Sequence, residues 1–206
     1  RYATVNNDED VEISWEVDAS VQVDGYELQR STDFAGPWTA LDYQLFNGTS
    51  AFTYIDNGVD ADRYSYFYQL AVIDSCGNEA MYSNMARTIL LDAEPYDNLT
   101  NQLFWNDYEG WSTGIAQYWI ARTTDGVADP FPLMTIGPYI GWYDDDLTNL
   151  IYTQGNFSYR LMAIENVGNP FGYTDTVWSN KVSLQQIPRL FIPNAFAPSG
   201  VNQVFI

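Results

Sequence analysis

The chain has 206 residues, 46% hydrophobic and 17% aromatic, with 27 acidic side chains against 8 basic ones and no histidine. A net charge of −19 repels phosphate backbones and anionic lipid surfaces, so nucleic acid and membrane surfaces are poor partners. Without histidine, neither a Ser-His-Asp nor a Cys-His nucleophile arrangement can be assembled from these residues.

In chain order, Asp8-Glu9-Asp10 reads as a solvated turn ahead of the first clear strand. Val11 to Val17 then alternates apolar and polar without a fault, which predicts a half-buried strand with Val11, Ile13, Trp15 and Val17 inward. Tyr26 to Arg30 predicts the next strand. Turn-prone clusters stand at Asn47-Gly48-Thr49, Asp56-Asn57-Gly58 and Ser75-Cys76-Gly77-Asn78. Between the last two, Tyr68, Leu70 and Val72 share one strand face. Leu91 to Pro95 reads as a short hinge that also enters the second half of the chain. Strands around Leu103 and Trp105, from Tyr118 to Arg122, and through Tyr159, Leu161 and Ala163 come after it. Helical periodicity is absent over any stretch of ten residues, and no apolar run is long enough for a membrane span.

The later strands repeat the earlier ones. Trp15 recurs as Trp105, Tyr26 as Tyr118, Arg30 as Arg122, and Tyr68 to Asn78 as Tyr159 to Asn169; Tyr82-Ser83-Asn84 returns as Trp178-Ser179-Asn180. The offset is 90 at the tryptophans, 91 at Tyr68 and Tyr159, and 96 at the closing asparagines. One ordered fold has been copied, with small loop insertions in the second copy. The expected organisation is one domain over residues 1–90 and a second over 91–187. Residues 188–206 match neither copy. Each repeat is close to the roughly 100 residues of an immunoglobulin-like domain, and the aromatic bias suits pleated sheets. The fold class expected is all-β, two tandem immunoglobulin-like sandwiches.

On these residues the two halves resemble fibronectin type III domains. That family carries a tryptophan on its second strand, where Trp15 and Trp105 stand. It also carries a late Tyr-x-Tyr-Arg-Val-x-Ala-Val strand, which Tyr66–Ile73 and Phe157–Ile164 match, and then Gly-Asn and Ser-Asn. Phe157 in place of tyrosine and a longer loop from Pro170 to Val177 are the second copy's departures. The run from Phe191-Ile192-Pro193-Asn194-Ala195-Phe196-Ala197-Pro198 to Phe205 resembles the opening of the gliding motility-associated, type B C-terminal sorting domain. The family's usual Pro-Asn-Gly-Asp-Gly continuation is shortened here to Pro198-Ser199-Gly200-Val201-Asn202-Gln203. The resemblance implies a partner, the type IX secretion and sorting machinery, and an extracellular or cell-surface location. Starting at Arg1 and stopping at Ile206, the chain reads as a piece of something longer.

Acidic and aromatic clusters are the candidates for chemistry. Asp144-Asp145-Asp146, with Asp56, Asp60 and Asp62 in the first copy, offers oxygens to calcium but misses the EF-hand spacing, which favours solvated acidic loops. Trp111, Trp119, Trp142 and Tyr143 lie off the regular inward positions and are the candidates for a sugar-stacking platform; packing or domain-interface duty competes with that reading. Tyr68, Tyr159 or the neighbouring Tyr66 suits a hydroxyl tie to backbone. Trp15 and Trp105 are expected core plugs. Asn47, Asn98 and Asn156 open N-glycosylation patterns of little weight, and Cys76 has no partner for an internal disulfide. No catalytic, cofactor or metal set emerges. The expectation is a non-catalytic spacer presenting an upstream region of a large secreted or surface protein. The alternatives are an adhesin contacting glycan or protein directly, and accessory domains of a secreted hydrolase.

Overall fold

The computed structural model describes residues 1–7, 10–96 and 99–186. The expected sorting segment therefore lies outside the described residues. Within them the chain is built of strands and one 3-10 turn, Thr148–Leu150. The first half holds β1 (Tyr2–Asn7), β2 (Asp10–Glu16), β3 (Gly25–Ser31), β4 (Thr39–Leu45), β5 (Ala51–Asn57), β6 (Phe67–Ile73), β7 (Glu79–Tyr82) and β8 (Ala86–Arg87). The second holds β9 (Leu91–Tyr96), β10 (Thr100–Trp105), β11 (Ile115–Thr124), β12 (Val127–Ala128), β13 (Met134–Ile136), β14 (Trp142–Asp146), β15 (Asn156–Glu165), β16 (Thr176–Trp178) and β17 (Val182–Gln185).

These strands form four antiparallel sheets in two matching pairs. Sheet β1-β2-β5 faces β4-β3-β6-β7, with β8 also on β6; sheet β14-β10-β9 faces β12-β11-β15-β16, with β13 on β11 and β17 on β15. Each pair closes on its own core. Val11, Ile13 and Trp15 meet Leu28, Tyr68 and Leu70 in the first, and Leu103 and Trp105 meet Tyr118, Ile120, Tyr159 and Leu161 in the second. The result is two immunoglobulin-like sandwiches of fibronectin type III-like strand order, built by the period-two pattern the sequence carries.

One local expectation needs correction, and one strand was not anticipated. Leu91 to Pro95 is no hinge: β9 pairs with β10 along its whole length, with Leu91 buried and Asp92 and Glu94 outward. Strand β1 escapes the pattern reading because only Ala3 and Val5, both small, carry its inward face. Tyr68, Leu70 and Val72 do share one face of β6, whose register on β3 is unbroken, with Tyr68 and Leu70 buried and Val72 half-buried.

Candidate functional site: the seam between the sandwiches

The repeated residues assemble first into a matched cross-link inside each sandwich. Arg30 stands directly opposite Tyr68 on the neighbouring strand, and Arg122 opposite Tyr159. From the facing sheet, Asp56 accepts both Arg30 Nη1, at 2.9 Å, and the Tyr68 hydroxyl, at 2.9 Å. Asp145 repeats this with Arg122 Nη1 at 2.8 and 2.9 Å and Tyr159 at 2.6 Å. The second copy adds Asn101, which donates to the Tyr159 hydroxyl, and Asp129, which accepts from Arg122 Nε at 2.6 Å. Burial first, and the neighbouring carboxylate second, push both tyrosine hydroxyls well above their ordinary pKa.

This geometry overturns the reading of Asp56 and Asp145 as solvated loop or calcium ligands. Both sit in strands, 4% and 2% exposed, with their oxygens committed to an arginine and a tyrosine. Asp60, Asp62, Asp144 and Asp146 are exposed, Asp10 opens β2, and Asp8 and Glu9 lie outside the described residues. Among the described residues no group of three acidic or cysteine side chains lies close enough to hold a metal ion. Of the three tyrosines expected to tie a hydroxyl to backbone, one does so. Tyr68 and Tyr159 bind carboxylates, whereas Tyr66 makes the backbone tie, its hydroxyl accepting from the Asp60 N–H at 3.0 Å.

Trp15 and Trp105 are buried as expected, and their indole N–H groups have no acceptor. Of the four platform candidates, Trp111 is a core residue against Tyr108, with ring centroids 4.3 Å apart. Trp119 is half-buried edge-on to Phe131, and Tyr143 is half-buried on the inward face. Only Trp142 stands out, 56% exposed. Cys76 is exposed in the turn between β6 and β7, and Asn47 is an exposed turn residue. Asn156 opens β15, and Asn98 lies outside the described residues.

A further cluster of directed contacts joins the two sandwiches. Edge strand β1 turns its free backbone groups toward the second sandwich. There the Tyr108 hydroxyl accepts from the Ala3 N–H at 3.1 Å, Arg160 donates to the Val5 carbonyl at 2.7 Å, and the Trp178 N–H donates to Thr4 Oγ1 at 2.8 Å. Those contacts occupy an edge that would otherwise invite strand pairing. The longer loop of the second copy completes the clasp. Asp175 accepts from Arg1 Nη2 at 2.8 Å and Nε at 3.2 Å, and Tyr173 donates to Glu16 at 2.5 Å. The Arg1 guanidinium lies 4.2 Å from the Tyr173 ring centroid. Glu165, 1% exposed, holds that loop by accepting from the Asp175 N–H and from Asn169 Nδ2.

The connection between the sandwiches is pinned from both sides. Thr88 exchanges hydrogen bonds with Tyr66, through its N–H at 3.0 Å and its Oγ1 at 2.9 Å. Asn106 accepts from the Leu90 N–H and donates to the Thr88 carbonyl, and Asn180 brackets Leu91 by accepting its N–H at 2.7 Å and donating to its carbonyl at 2.9 Å. Arg87 meets Glu109 through backbone and side chain. Gly110 fits against Ala86 at a φ of 138°, where a Cβ would come within 3.1 Å of the Ala86 Cα. The loop insertion is visible in the sequence, but its targets are not. Arg160, Tyr108 and Asp175 escape sequence reasoning because contacts between domains leave no period in the chain.

No protein-family model matches the chain, and no curated protein matches it. Among solved structures, it is similar to the FN1–FN3 domains of chicken CNTN1, at 10% identity and a TM-score of 0.34. That match covers 87% of this chain and 63% of the chicken protein's chain. At so low an overlap the fold rests on the sheet order and strand register, which are of fibronectin type III-like kind.

Proposed function

We propose that residues 1–90 and 91–187 act as a stiff, non-catalytic spacer in a larger secreted or cell-surface protein, presenting a functional region elsewhere in it. Residues 188–206 then open a C-terminal sorting domain recognised by a type IX secretion machinery. The observation that carries the spacer reading is the connection through Thr88, Leu90 and Leu91, hydrogen-bonded to both sandwiches. Flexible linkers leave domains free to reorient, whereas a bracketed connection and a covered edge fix one arrangement. The Phe191 to Pro198 run supports the sorting reading through its resemblance alone.

Two measurements test the two halves of this reading. Spin labels on exposed turns of each sandwich should give one narrow distance distribution; a broad one would sink the stiff spacer. Surface-protease digestion of the full-length protein in its native host should occur only while the secretion machinery is intact. Equal protection with and without the machinery would overturn the sorting assignment.

A further inference from the structure

The outward face of sheet β14-β10-β9 differs from its counterpart in the first sandwich in a way the fold does not require. Phe104 pairs in register with Trp142, and Gln102 with Asp144, while Asp92 and Glu94 stand across from Phe104 and Gln102 on the other side. In the first sandwich the same two aromatic positions are held by Ser14 and Thr53, which also pair directly. One framework thus carries two small hydroxyl residues in one copy and two large rings in the other. Packing inside the sandwich does not demand the rings, because they alternate with the inward Leu103, Trp105 and Tyr143; Phe104 is half-buried and Trp142 exposed.

The rings adjoin an ordered polar row. The Tyr96 hydroxyl donates to Gln102 Oε1 at 3.2 Å, and Gln102 Nε2 donates to Asp144 Oδ1 at 2.6 Å, so one ladder of side chains crosses all three strands. Pairing is kept right up to Trp142, since the Trp105 N–H donates to the Gly141 carbonyl at 3.0 Å. Tyr139, 82% exposed at a φ of 64°, stands in the loop just before it. A left-handed tyrosine with its ring in solvent is an unfavoured arrangement of the kind that collects at binding loops.

We propose that this face binds a neutral polysaccharide. Flat rings stack on the C–H faces of sugars, and fixed carboxylate and amide oxygens accept from sugar hydroxyls. Asp92, Glu94, Asp144 and Asp146 give the face one sign of charge, which turns away uronic, sulfated and phosphorylated chains. A basic peptide would satisfy the carboxylates, but the whole protein draws cations at a net charge of −19. What distinguishes this face is the ring pair and its ladder, and an uncharged ligand with flat faces and many hydroxyls engages both.

The test is affinity electrophoresis of the whole 206-residue chain through gels holding a soluble β-glucan, a xylan, a mannan or a starch glucan. Retardation by one of them, kept in high salt, is expected. Phe104→Ser with Trp142→Thr installs the first copy's own residues and should weaken binding about tenfold or more, as removal of central aromatic contacts does. Ser14→Ala with Thr53→Ala should leave it unchanged. If the double variant melts early, titration of the wild type with the retarding polysaccharide decides instead: its tryptophan emission should shift, and that shift should vanish in Trp142→Phe. No retardation in any gel, retardation untouched by the ring variants, or binding that high salt abolishes would each overturn the proposal, the last in favour of a cationic partner.

Discussion

Tyr159 donates its hydroxyl to Asp145 at 2.6 Å from one sheet of the second sandwich to the other, and Tyr68 does the same to Asp56 at 2.9 Å in the first. Each carboxylate also receives an arginine, so one charged cross-link spans each core. Forming such a pair gains little, because two charges must leave water, but removing one member strands the other. Asp145→Ala combined with Asp129→Ala, which takes both carboxylates from Arg122, should therefore cost about 3–5 kcal/mol in denaturant unfolding. Asp56→Ala should cost less, because Arg30 is 27% exposed against 10% for Arg122 and water can solvate it once unpaired. Equal losses in the two variants would contradict this account.

The same hydroxyls set the alkaline limit. Their folded pKa values are raised above the unfolded value of 10, by burial first and the carboxylate second. Tyr118 and Tyr108 are raised too, chiefly by burial. Below pH 10 both states keep these protons and the stabilisation is fully present. Above it the unfolded chain releases protons that the folded chain retains, so stability falls as pH rises. Melting temperature should be flat in this respect through neutral pH and decline beyond about 10. Tyr68→Phe with Tyr159→Phe should soften the decline.

Trp15 fills its core with its indole N–H unpaired. Truncation to alanine should cost about 3–5 kcal/mol by opening a cavity. Trp15→Phe keeps much of the volume and removes the orphaned donor, so it should cost clearly less. Chemical denaturation of both variants tests this, and similar losses would mean that filled volume does not set the cost of losing Trp15.

Gly110 is the seam's most exacting backbone position, at a φ of 138° and with Ala86 where its Cβ would fall. Gly110→Ala should broaden the distance distribution between the sandwiches while leaving each core folded. Tyr108→Phe should strip the acceptor from the Ala3 N–H, costing about 1–3 kcal/mol for the stranded donor. Spin-label distances and unfolding curves read the two outcomes independently.

Much of the fold was legible because alternation and repetition are both written along the chain. Val11, Ile13 and Trp15 mark the first inward face, and the recurrence of Trp105, Tyr118 and Tyr159 marks the second. The three cross-link positions are each visible as repeats, with Asp56 and Asp145 89 residues apart, close to the offsets of their partners. Their meaning is not, because an aspartate in a run of aspartates reads as solvent-facing until the opposite sheet supplies an arginine. Strand β9 passes for a hinge for a related reason. Pro95 and the flanking acids look like linker, but Pro95 lies on an edge strand, where a missing donor is tolerated. The seam is the least legible, since it depends on how two separately patterned units meet.

The covered edge of β1 also gives the protein a timetable. During synthesis the first sandwich is complete before Tyr108, Arg160 and Trp178 have been made, so the Ala3 N–H and the Val5 carbonyl meet only water until the second sandwich closes over them. That interval is one in which two young chains can pair edge to edge. Its length is set by how fast the second sandwich folds, so a change that slows that folding exposes the first to association even where it leaves the finished protein's stability untouched.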